Sequence, residues 1–521
     1  MERLFSEFFT TETAKKAGVV SREGDADPQI TGLEYDSRNV KQGSLFFALS
    51  GLHTNGSLFI EDAISRGAVC VVHENEDIKK TTGIVYVKVR NSRFAMSPIA
   101  ASFYNFPSRR VLVTGVTGTE GKSTTVYFIW QLLSLAGKKA GFFSTVQRSF
   151  GGGAVWNSEH QTTPEAPVVQ QLIREMADNG CEYAVVEASS HGLSPKTNRL
   201  GDVNFCSAVF TNVTHEHLEF HGTWEQYRDD KANLFRALDK YIPVNSHDGF
   251  KPFGVINADD KSARFFAQAA KSKTFTFSCH GNEADITAET VENGARGNSY
   301  RVFEKQSKEN IEINDNLPGS FNAGNVLAAI LTVSNLLNVP VCEIAPFVSE
   351  LKPVRGRMTS VNKGQPFELV VDYAHTPSSF MAIFPPLRTR LDKTGGRIIS
   401  LFGSAGERDT QKRAEQGKIA ARYSDFIVIT DEDPRGEKPM DILEEIAKGV
   451  ETDAESGKDF AREKNLFLIT DRPRAVRKAI SLARGGDLVL LLGKGHENSI
   501  IYADHVMPYD EIAEAEKALG E

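Results

Sequence analysis

The stretch that decides the fold is "VLVTGVTGTEGKSTTVYFIWQLLSLAG", residues 111–137. Its first residues form an apolar run that predicts a buried strand, and a glycine-rich loop follows at once. From Lys122 onward, apolar side chains recur at helical spacing as far as Gly137, a natural helix stop. A strand, a glycine-rich loop and a helix in this order are the context that a phosphate-binding loop requires.

The loop carries the groups that bind phosphate. Gly118 and Gly121 let backbone N–H groups approach a phosphate, and the helix N-terminus adds partial positive charge. Lys122 adds a full charge, and the Ser123 hydroxyl can ligate magnesium. The generic motif needs a glycine where Val116 stands, so the loop is off by one position. A plain glycine turn before a helix is the alternative, and the lysine and hydroxyls favour phosphate binding.

Composition limits the classes of function. A chain of 521 residues suggests roughly three domains of ~150 residues each. The net charge of −8 argues against a nucleic-acid binder, and five scattered cysteines without a CxxC pair indicate reduced thiols in a cytosol. The first 18 residues predict a short amphipathic helix and lack the features of a signal peptide. No apolar stretch is long enough to span a bilayer, so we expect a cytoplasmic protein without membrane insertion.

The chain divides into three predicted α/β domains, at 1–105, 106–345 and 346–521. From "KPVRGRM" onward, five apolar runs recur, most of them separated by helical stretches, which predicts a mostly parallel sheet. Ligands of such sheets bind outside the carboxyl ends of the strands. The polar residues that follow these runs are Asp372, His375, Arg408, Asp433, Arg435 and Lys494 to Glu497.

Metal chemistry has two candidate segments. Glu187 ends the apolar run "YAVVE", where an acidic partner for a phosphate-bound magnesium belongs. "THEHLEFHGTWEQYRDDK", residues 214–231, brings His215, His217 and His221 within seven positions. Zinc would need further nitrogen or sulfur ligands, and no cysteine lies nearby in the sequence. The histidines therefore form a zinc site, cap a helix or supply half of a magnesium site, and spacing alone leaves these alternatives open.

The chain resembles the Mur ligase family of peptidoglycan amino-acid ligases over nearly its whole length. The resemblance rests on motifs that are far more specific together than singly: "GVTGTEGKSTT", "TTP" at 162–164, "EASSHGL" at 187–193, "FTNVTHEHLEFHG" at 210–222, "LPGSFNAGNVLAA" at 317–329, "VRGRM" at 354–358, "DYAHTP" at 372–377 and "GKGHE" at 493–497. "YDSRNVKQGSLFFALSGLHTNG" resembles a uridine-binding segment. The implied fold is a three-domain α/β architecture with a central P-loop-type ATPase domain and a C-terminal Rossmann-like domain.

The resemblance also implies roles for single residues. The residues implied to hold the ATP phosphates are Gly118, Thr119, Gly121, Lys122, Ser123 and Thr124. The residues implied for the rest of the nucleotide are Asn325, Arg357, Asp372 and His375. Those implied for the UDP-linked substrate are Ser37, Asn55, Thr162, Thr163, Ser189 and Arg199. Those implied for the incoming amino acid are Arg408, Asp433, Arg435, Gly493 and Glu497.

The implied cofactors are ATP and two magnesium ions. Ser123, Glu187 and His217 would ligate magnesium, while His215 and His221 would be structural. Lys231 would be carbamylated by carbon dioxide, because an ammonium would repel magnesium whereas a carbamate supports the second metal. The implied catalytic residues are Lys122, Glu187, His217 and Lys231.

The implied activity is ATP-dependent ligation of a diamino acid to UDP-N-acetylmuramoyl-L-alanyl-D-glutamate through an acyl phosphate. We expect a monomer whose partners are the UDP dipeptide and the free amino acid, with no nucleic acid. One alternative is another amide ligase of the folate polyglutamate or cyanophycin type, which the uridine-like N-terminal segment disfavours. A second alternative is a catalytically inactive binding protein or a P-loop kinase, which the intact catalytic set and the "GKGHE" and "DYAHTP" motifs disfavour.

The identity of the amino acid depends on "EDPR", residues 432–435. Diaminopimelate enzymes of the family have Asp-Asn-Pro-Arg there, so Asp433 replaces a neutral asparagine beside Glu432. The added acidity would repel a distal carboxylate and attract a distal ammonium, while Arg435 still favours a carboxylate. We therefore expect L-lysine or L-ornithine, with meso-diaminopimelate next.

Overall fold

A computed structural model describes residues 1–50, 55–157, 161–214, 218–244, 249–294 and 297–521. The chain divides into two compact units. The first comprises residues 1–289, 301–311 and 324–348, and the second comprises residues 290–300, 312–323 and 349–521. The three domain ranges 1–105, 106–345 and 346–521 stay a prediction, because this division gives no boundary near residue 105.

The N-terminal segment differs from the single amphipathic helix that its sequence predicts. It forms a short strand, Arg3–Leu4, and two helices, Phe5–Phe8 and Thr11–Ala17. The second helix starts afresh because the Thr10 hydroxyl accepts a hydrogen bond from the Thr13 N–H (3.2 Å). A break at this point lets the apolar side chains of the first helix enter the core independently of the second.

The first unit begins with a five-stranded sheet. Four strands are parallel and the edge strand is antiparallel, in the order Val19–Glu23, Val85–Val89, Ala68–His73, Ser44–Phe47 and Gly32–Glu34. Three of these strands, Ser44–Phe47, Ala68–His73 and Val85–Val89, coincide with apolar runs of the sequence. The helices that accompany the sheet are Ile60–Ser65 and Ser92–Phe103, with 3-10 turns at Ser37–Asn39, Gly56–Phe59 and Pro107–Arg109.

A second sheet of the first unit carries the phosphate loop. The strand Leu112–Thr117 is fully buried, and the helix Lys122–Leu135 follows it, as predicted. The strand order is Val155–Trp156, Gln147–Phe150, Ala140–Phe143, Tyr183–Glu187, Leu112–Thr117, Phe205–Phe210, Phe253–Asn257, Lys273–Ser278 and then Ile286–Gly294. The strands from Ala140–Phe143 to Lys273–Ser278 pair in parallel, so their carboxyl ends share one edge.

Among the described residues, seven further helices belong to this region; the first five lie between its strands in sequence, and the last two follow the last strand. They are Ala166–Asp178, Ser190–Leu193, Leu218–His221, Trp224–Leu238, Ala263–Ala269, Asn322–Leu337 and Val341–Ile344. Two further strands are Gly297–Glu304 and Glu309–Asn314. No single helix of the described ranges is long and apolar enough to cross a membrane, although Asn322–Leu337 and Val341–Glu350 meet that test as a bent pair.

The second unit has a six-stranded sheet. Its order is Thr359–Ser360, Glu368–Asp372, Leu488–Leu492, Ile398–Phe402, Phe426–Ile429 and Leu466–Leu468, and only the first strand is antiparallel. The helices are Pro377–Asp392, Gln411–Tyr423, Pro439–Thr452, Arg472–Leu482 and Glu511–Gly520, and a ribbon pairs Ser499–Ile501 with Val506–Pro508. The five predicted apolar runs are thus parallel strands.

Both faces of that sheet are buried. In the strand Leu488–Leu492, Leu488, Leu490 and Leu492 join one apolar cluster, while Val489 and Leu491 join another. Successive side chains of a strand point to opposite faces, so a continuous apolar run is what a sheet covered on both sides requires. The polar residues predicted to bind ligands follow these strands at the carboxyl edge.

Candidate functional site

The phosphate loop is held in shape by the end of the neighbouring strand. Gly118 lies so close to Thr211 that a Cβ at this position would be 1.9 Å from the threonine Oγ1. Gly121 has a φ of +83°, and a Cβ there would meet the Asn325 side-chain oxygen at 2.4 Å. Only glycine fits at both positions, because one needs close approach and the other a left-handed backbone.

Lys122 is the first residue of the helix and turns back over the loop. Its Nζ donates a hydrogen bond to the carbonyl oxygen of Thr119 (2.7 Å). Thr119 is buried, and its hydroxyl lies 3.0 Å from the hydroxyl of Tyr227. The side chain of Thr124 is also buried in the first turn of the helix. The loop therefore presents a cation, a helix N-terminus and backbone amides on one small surface.

Ser123 and Glu187 come together at the sheet edge. Glu187 ends its strand in register with Val116, so it reaches the start of the loop helix. The Ser123 hydroxyl lies 3.0 and 2.9 Å from the two carboxylate oxygens of Glu187. Thr145 donates its backbone N–H (2.7 Å) and its hydroxyl (3.1 Å) to the same carboxylate. Two predicted magnesium ligands, both buried, are thus in direct contact.

Lys231 reaches the same loop from the helix Trp224–Leu238. Its side chain is only 1% exposed, and its Nζ donates to the carbonyl oxygen of Gly118 (2.6 Å). The Nζ also lies 4.4 Å from the centroid of the Tyr227 ring. A lysine that sequence alone places ten residues after the last histidine is therefore adjacent to the phosphate loop.

A cavity of about 290 Å³ joins several predicted residues. The predicted residues that line it are Lys122, Thr162, Thr163, Ser189, Arg199 and Lys231. Four further lining residues had no predicted role: Gln161, Ser190, His191 and Tyr227. The cavity thus connects residues predicted for ATP with residues predicted for the UDP-linked substrate.

Arg199 is fixed on the cavity wall by Glu165. The guanidinium donates to the carbonyl oxygen of Thr163 (2.7 Å) and to Glu165 Oε1 (2.9 Å). Glu165 also accepts from Arg93 (2.6 Å), a residue of the helix Ser92–Phe103. Two arginines share one carboxylate that is 4% exposed, so positive charge remains for an anionic ligand. The sequence around Glu165 gives no sign that this carboxylate binds both Arg93 and Arg199.

Thr163 and Ser189 shape the same wall through hydrogen bonds between their hydroxyls and backbone groups. The Thr163 hydroxyl donates to the carbonyl oxygen of Glu187 (2.9 Å) and accepts from the Ser189 N–H (3.0 Å). The Ser189 hydroxyl accepts from the Gly192 N–H (3.1 Å) as the cap of a short helix. Both predicted substrate residues therefore also hold the wall in shape.

His221, predicted to be structural, is buried in a hydrogen-bonded chain. Its Nδ1 lies 2.7 Å from Asp230 Oδ2 and its Nε2 lies 3.1 Å from the Ser190 hydroxyl. Burial alone would raise the pKa of Asp230, but hydrogen bonds from His221, Gln226 and Ser194 outweigh it and lower that pKa. His215 and His217 lie outside the described residues, so the predicted magnesium role of His217 stays a prediction.

The remaining predicted residues of the first unit are placed as follows. Asn325 Oδ1 accepts from the Thr125 hydroxyl (3.2 Å), so Asn325 packs against the loop helix near Gly121. Ser37 is buried, and Asn55 caps a 3-10 turn by accepting from the Ser57 N–H (3.0 Å). The structure gives Ser37 and Asn55 no place in the cavity.

In the second unit, Asp372 ends its strand in a buried position. Its two oxygens accept from the backbone N–H groups of Met358 (2.6 Å) and Ala374 (2.7 Å). Burial raises the pKa of Asp372, although the Arg357 charge opposes this shift. Arg357 stacks 4.7 Å from the Tyr373 ring, and His375 Nδ1 lies 2.9 Å from the Tyr373 carbonyl oxygen. These predicted nucleotide residues therefore form one group.

Lys494 organises the predicted amino-acid site. Its Nζ lies 2.9 Å from Asp433 Oδ1 and 2.5 Å from Glu497 Oε2, and it is fully buried. Asp433 also accepts from the Ile501 N–H (3.0 Å). The acidity predicted for Asp433 is thus balanced by Lys494, a residue of "GKGHE" for which the sequence implies no role of its own.

Glu432 lies at the same edge and has a buried carboxylate oxygen, Oε2, without a hydrogen-bond partner among the described residues. The residue is 6% exposed. A Cβ at Gly493 would lie 2.8 Å from this oxygen, so glycine leaves room for it. Arg435 has a φ of +54° and its N–H donates to the Ile501 carbonyl oxygen (2.9 Å), while Arg408 is exposed.

Sequence comparisons assign the chain to one family along its length. Residues 29–108 match the description "Mur ligase family, catalytic domain", residues 116–333 "Mur ligase middle domain", and residues 356–495 "Mur ligase, glutamate ligase domain". The UDP-N-acetylmuramyl-tripeptide synthetase of Treponema denticola is 49% identical over 98% of this chain and 97% of its own. The chain belongs to the Mur ligase family. Members of this family are ATP-dependent ligases that form amide bonds, and this chain is one of them.

Other relatives of this Mur ligase agree. The UDP-N-acetylmuramyl-tripeptide synthetase of Treponema pallidum is 48% identical, covering 94% of this chain and 93% of its own. The UDP-N-acetylmuramoyl-L-alanyl-D-glutamate–2,6-diaminopimelate ligase of Clostridium tetani is 35% identical, covering 96% and 97%. A solved structure of a ligase with that same name superposes with a TM-score of 0.63 at 26% identity, covering 100% of this chain and 99% of its own. The three-domain α/β fold that the motifs implied is thereby confirmed.

Proposed function

We propose that this Mur ligase adds a diamino acid to UDP-N-acetylmuramoyl-L-alanyl-D-glutamate at the expense of ATP. The observation that carries the proposal is the cavity in which Lys122 and Lys231 meet Thr162, Thr163, Ser189 and Arg199. Residues suited to phosphate and residues suited to an anionic peptide share one space there. The likeness to the tripeptide synthetase of Treponema denticola, over nearly all of both chains, supports the choice of substrate.

The residues of the loop would bind and neutralise the γ-phosphate. The amides of Thr119 and Glu120 already donate to Asn212 (2.8 and 2.9 Å). The Lys122 ammonium and the N–H groups at the start of its helix would therefore supply the hydrogen bonds to phosphate oxygens. Arg199, held by Glu165, would orient the terminal glutamate carboxylate for attack on that phosphate. The amino group of the diamino acid then attacks the acyl phosphate, phosphate leaves and an amide remains.

Magnesium fits the buried oxygen donors at the sheet edge. Ser123 and Glu187 already contact each other, and a hydroxyl with a carboxylate is a donor set that magnesium prefers. We propose that they hold one ion, with His217 as a further ligand, and that Lys231 as a carbamate supports a second. Bound magnesium would neutralise charge on the phosphates of ATP.

L-lysine or L-ornithine is the proposed amino acid, ahead of meso-diaminopimelate. Asp433 is balanced by Lys494, so the support now comes from its neighbours. Glu432 Oε2 and Asp431 Oδ1 are buried carboxylate oxygens without a hydrogen-bond partner among the described residues. A distal ammonium would satisfy such oxygens, whereas a distal carboxylate would be repelled by them.

We also propose that the enzyme acts as a cytoplasmic monomer. ATP and a UDP-linked precursor are its proposed substrates, and neither calls for nucleic acid or membrane insertion. Five cysteines that the structure leaves as free thiols agree with a reducing compartment.

The direct experiment is ADP release on mixing ATP, magnesium, UDP-N-acetylmuramoyl-L-alanyl-D-glutamate and one diamino acid. We expect release only when all components are present. Each component is omitted in turn, and glutamate is offered with a folate acceptor as the competing reaction. Release with the folate acceptor but not with the UDP dipeptide would overturn the proposal.

A further inference from the structure

A buried chain of three side chains leads from the helix Trp224–Leu238 to the cavity wall. Asp230 Oδ2 lies 2.7 Å from His221 Nδ1, and His221 Nε2 lies 3.1 Å from Ser190 Oγ. Ser190 lines the cavity that Lys122 and Lys231 also line. Asp230, His221 and Ser190 are 1%, 4% and 2% exposed, so water does not compete for their hydrogen bonds.

The polarity of this chain follows from its acidic end. A carboxylate only accepts, so His221 Nδ1 carries a hydrogen and donates it to Asp230. The inference requires a neutral ring, in which Nε2 is an acceptor and takes the hydroxyl hydrogen of Ser190. The lone pairs of the Ser190 oxygen are left for another partner, so Ser190 offers the cavity a hydrogen-bond acceptor.

The surroundings keep the chain in this arrangement. Gln226 Nε2 donates to the second oxygen of Asp230 (2.9 Å), which fixes the plane of the carboxylate. The rings of Phe220 and Tyr227 pack around His221 with centroid distances of 4.7 and 5.1 Å. Rotation of the imidazole would break two hydrogen bonds and these ring contacts together.

We propose that Ser190 accepts a hydrogen bond from an N–H group of a bound substrate, with His221 and Asp230 as positioning residues. This inference rests on the proposed function, which supplies two N–H groups. One is the attacking amino group of the diamino acid, and the other is an amide of the UDP-linked dipeptide. An acceptor of fixed polarity would hold either group in a single orientation.

Asp230→Asn tests the polarity. The asparagine amide can donate to His221 Nδ1, which moves the ring hydrogen to Nε2 and turns the Ser190 hydroxyl hydrogen toward the cavity. We expect roughly a ten-fold or larger loss of kcat/KM for the substrate that bears the N–H group, and about ten-fold for Ser190→Ala, with KM for ATP unchanged. A loss confined to the diamino acid identifies the attacking amine, and a loss confined to the UDP dipeptide identifies its amide.

Asp229→Asn is the matched control, because it removes the same charge from the neighbouring residue. The side chain of Asp229 is partly exposed and pairs with Arg236 instead of His221. Wild-type kinetics are expected for it. Ser190→Ala with unchanged kcat/KM for both substrates would overturn the proposal, and so would an equal loss for all three substrates including ATP.

A second readout does not depend on turnover. With ¹⁵N-labelled histidine, the His221 ring should show the Nδ1–H tautomer in the wild type and the Nε2–H tautomer in Asp230→Asn. An Nε2–H tautomer in the wild type would overturn the inference even if the ligase is active. Absence of any ADP release by the wild type would instead count against the proposed function and leave the tautomer result standing.

Discussion

Lys231 is the residue on which the second of the two proposed magnesium ions depends. Its Nζ is buried against the Gly118 carbonyl oxygen, so a group added to this nitrogen would lie at the phosphate loop. We predict that Lys231→Ala lowers kcat by at least about 100-fold, because the loop loses its carbamate. High bicarbonate or a short carboxylic acid should restore part of the activity.

The control for that variant is Lys240→Ala, which removes an exposed lysine just beyond the same helix and should leave kcat unchanged. Full activity of Lys231→Ala would show that no carbamate is needed. Mass spectrometry of the intact wild-type protein under bicarbonate offers an independent check of the added carbon dioxide.

Asp431 is a buried acid, and burial of its charged form should lower the free energy of unfolding. Burial raises its pKa to about 6 from the usual 3.8, although the Tyr502 hydroxyl donates to it. The native state therefore holds this proton more tightly than the unfolded state, and stability is lost as pH rises from about 4 to about 6. Asp431→Asn should remove that loss and gain roughly 3 kcal/mol of unfolding free energy above pH 6.

Denaturant unfolding of both proteins between pH 4 and pH 8 measures this difference. The exposed Asp459→Asn serves as the control and should gain nothing. A gain for Asp431→Asn that is the same at pH 4 and pH 8 would mean that the acid is not the cause.

At the scale of elements, the phosphate loop and its helix were readable from residues 111–137. A buried strand, a loop of glycines and a helix from Lys122 are local features, and local sequence determines them. Glu187 was also found, because a carboxylate at a strand end is visible in the sequence once strands are placed. The pairing of Ser123 with Glu187 then follows from parallel register.

Other parts of the site could not be read in this way. The chain from Asp230 through His221 to Ser190 joins residues from two segments, and Glu165 joins Arg93 to Arg199 across more than 70 positions. Such contacts depend on how helices pack, which no spacing rule reports. The prediction of one continuous N-terminal helix was wrong, because the amphipathic pattern runs across Thr10, the residue that caps the second helix.

Lys122 tests the assignment of the phosphate loop as an element. Its Nζ caps the loop through the Thr119 carbonyl oxygen, so Lys122→Ala should abolish turnover. The affinity for the UDP dipeptide should stay within about three-fold of the wild type. Lys122 only borders the cavity proposed for this substrate, so its loss should weaken binding by about 0.5 kcal/mol or less. Calorimetric titration with the UDP dipeptide provides the measurement, and equal loss of turnover and binding would contradict the assignment.

The segment 432–435 tests the proposed amino acid. We predict that kcat/KM for L-lysine or L-ornithine exceeds that for meso-diaminopimelate about ten-fold, since opposite charges at ~4 Å are worth ~1 kcal/mol or more. Asp433→Asn should shift the preference toward diaminopimelate, because Lys494 then loses a carboxylate partner and can attract a distal one. Glu432→Gln should shift it in the same direction.

The matched control for these variants is Glu445→Gln, which changes an exposed side chain that pairs with Arg413. A wild type that prefers diaminopimelate ten-fold over both other amino acids would refute the proposal. So would an Asp433→Asn variant whose order of preference does not change.

The molecule as a whole carries two kinds of site. Two α/β units each gather polar side chains at the carboxyl edge of a mostly parallel sheet, one suited to phosphate and the other suited to an amino acid. An enzyme that activates a carboxylate with ATP and then joins it to an amine needs both kinds of site. We therefore predict that an acyl phosphate forms and is consumed by an amine.

The most direct test uses UDP-N-acetylmuramoyl-L-alanyl-D-glutamate labelled with ¹⁸O in its terminal carboxylate. With ATP, magnesium and the preferred diamino acid, mass spectrometry should find one ¹⁸O atom in the released phosphate. The mass of the UDP product should equal that of the labelled UDP dipeptide plus that of the amino acid, minus the mass of one ¹⁸O-labelled water. Phosphate that carries no ¹⁸O while ADP accumulates would contradict the acyl phosphate and the proposed reaction that proceeds through it.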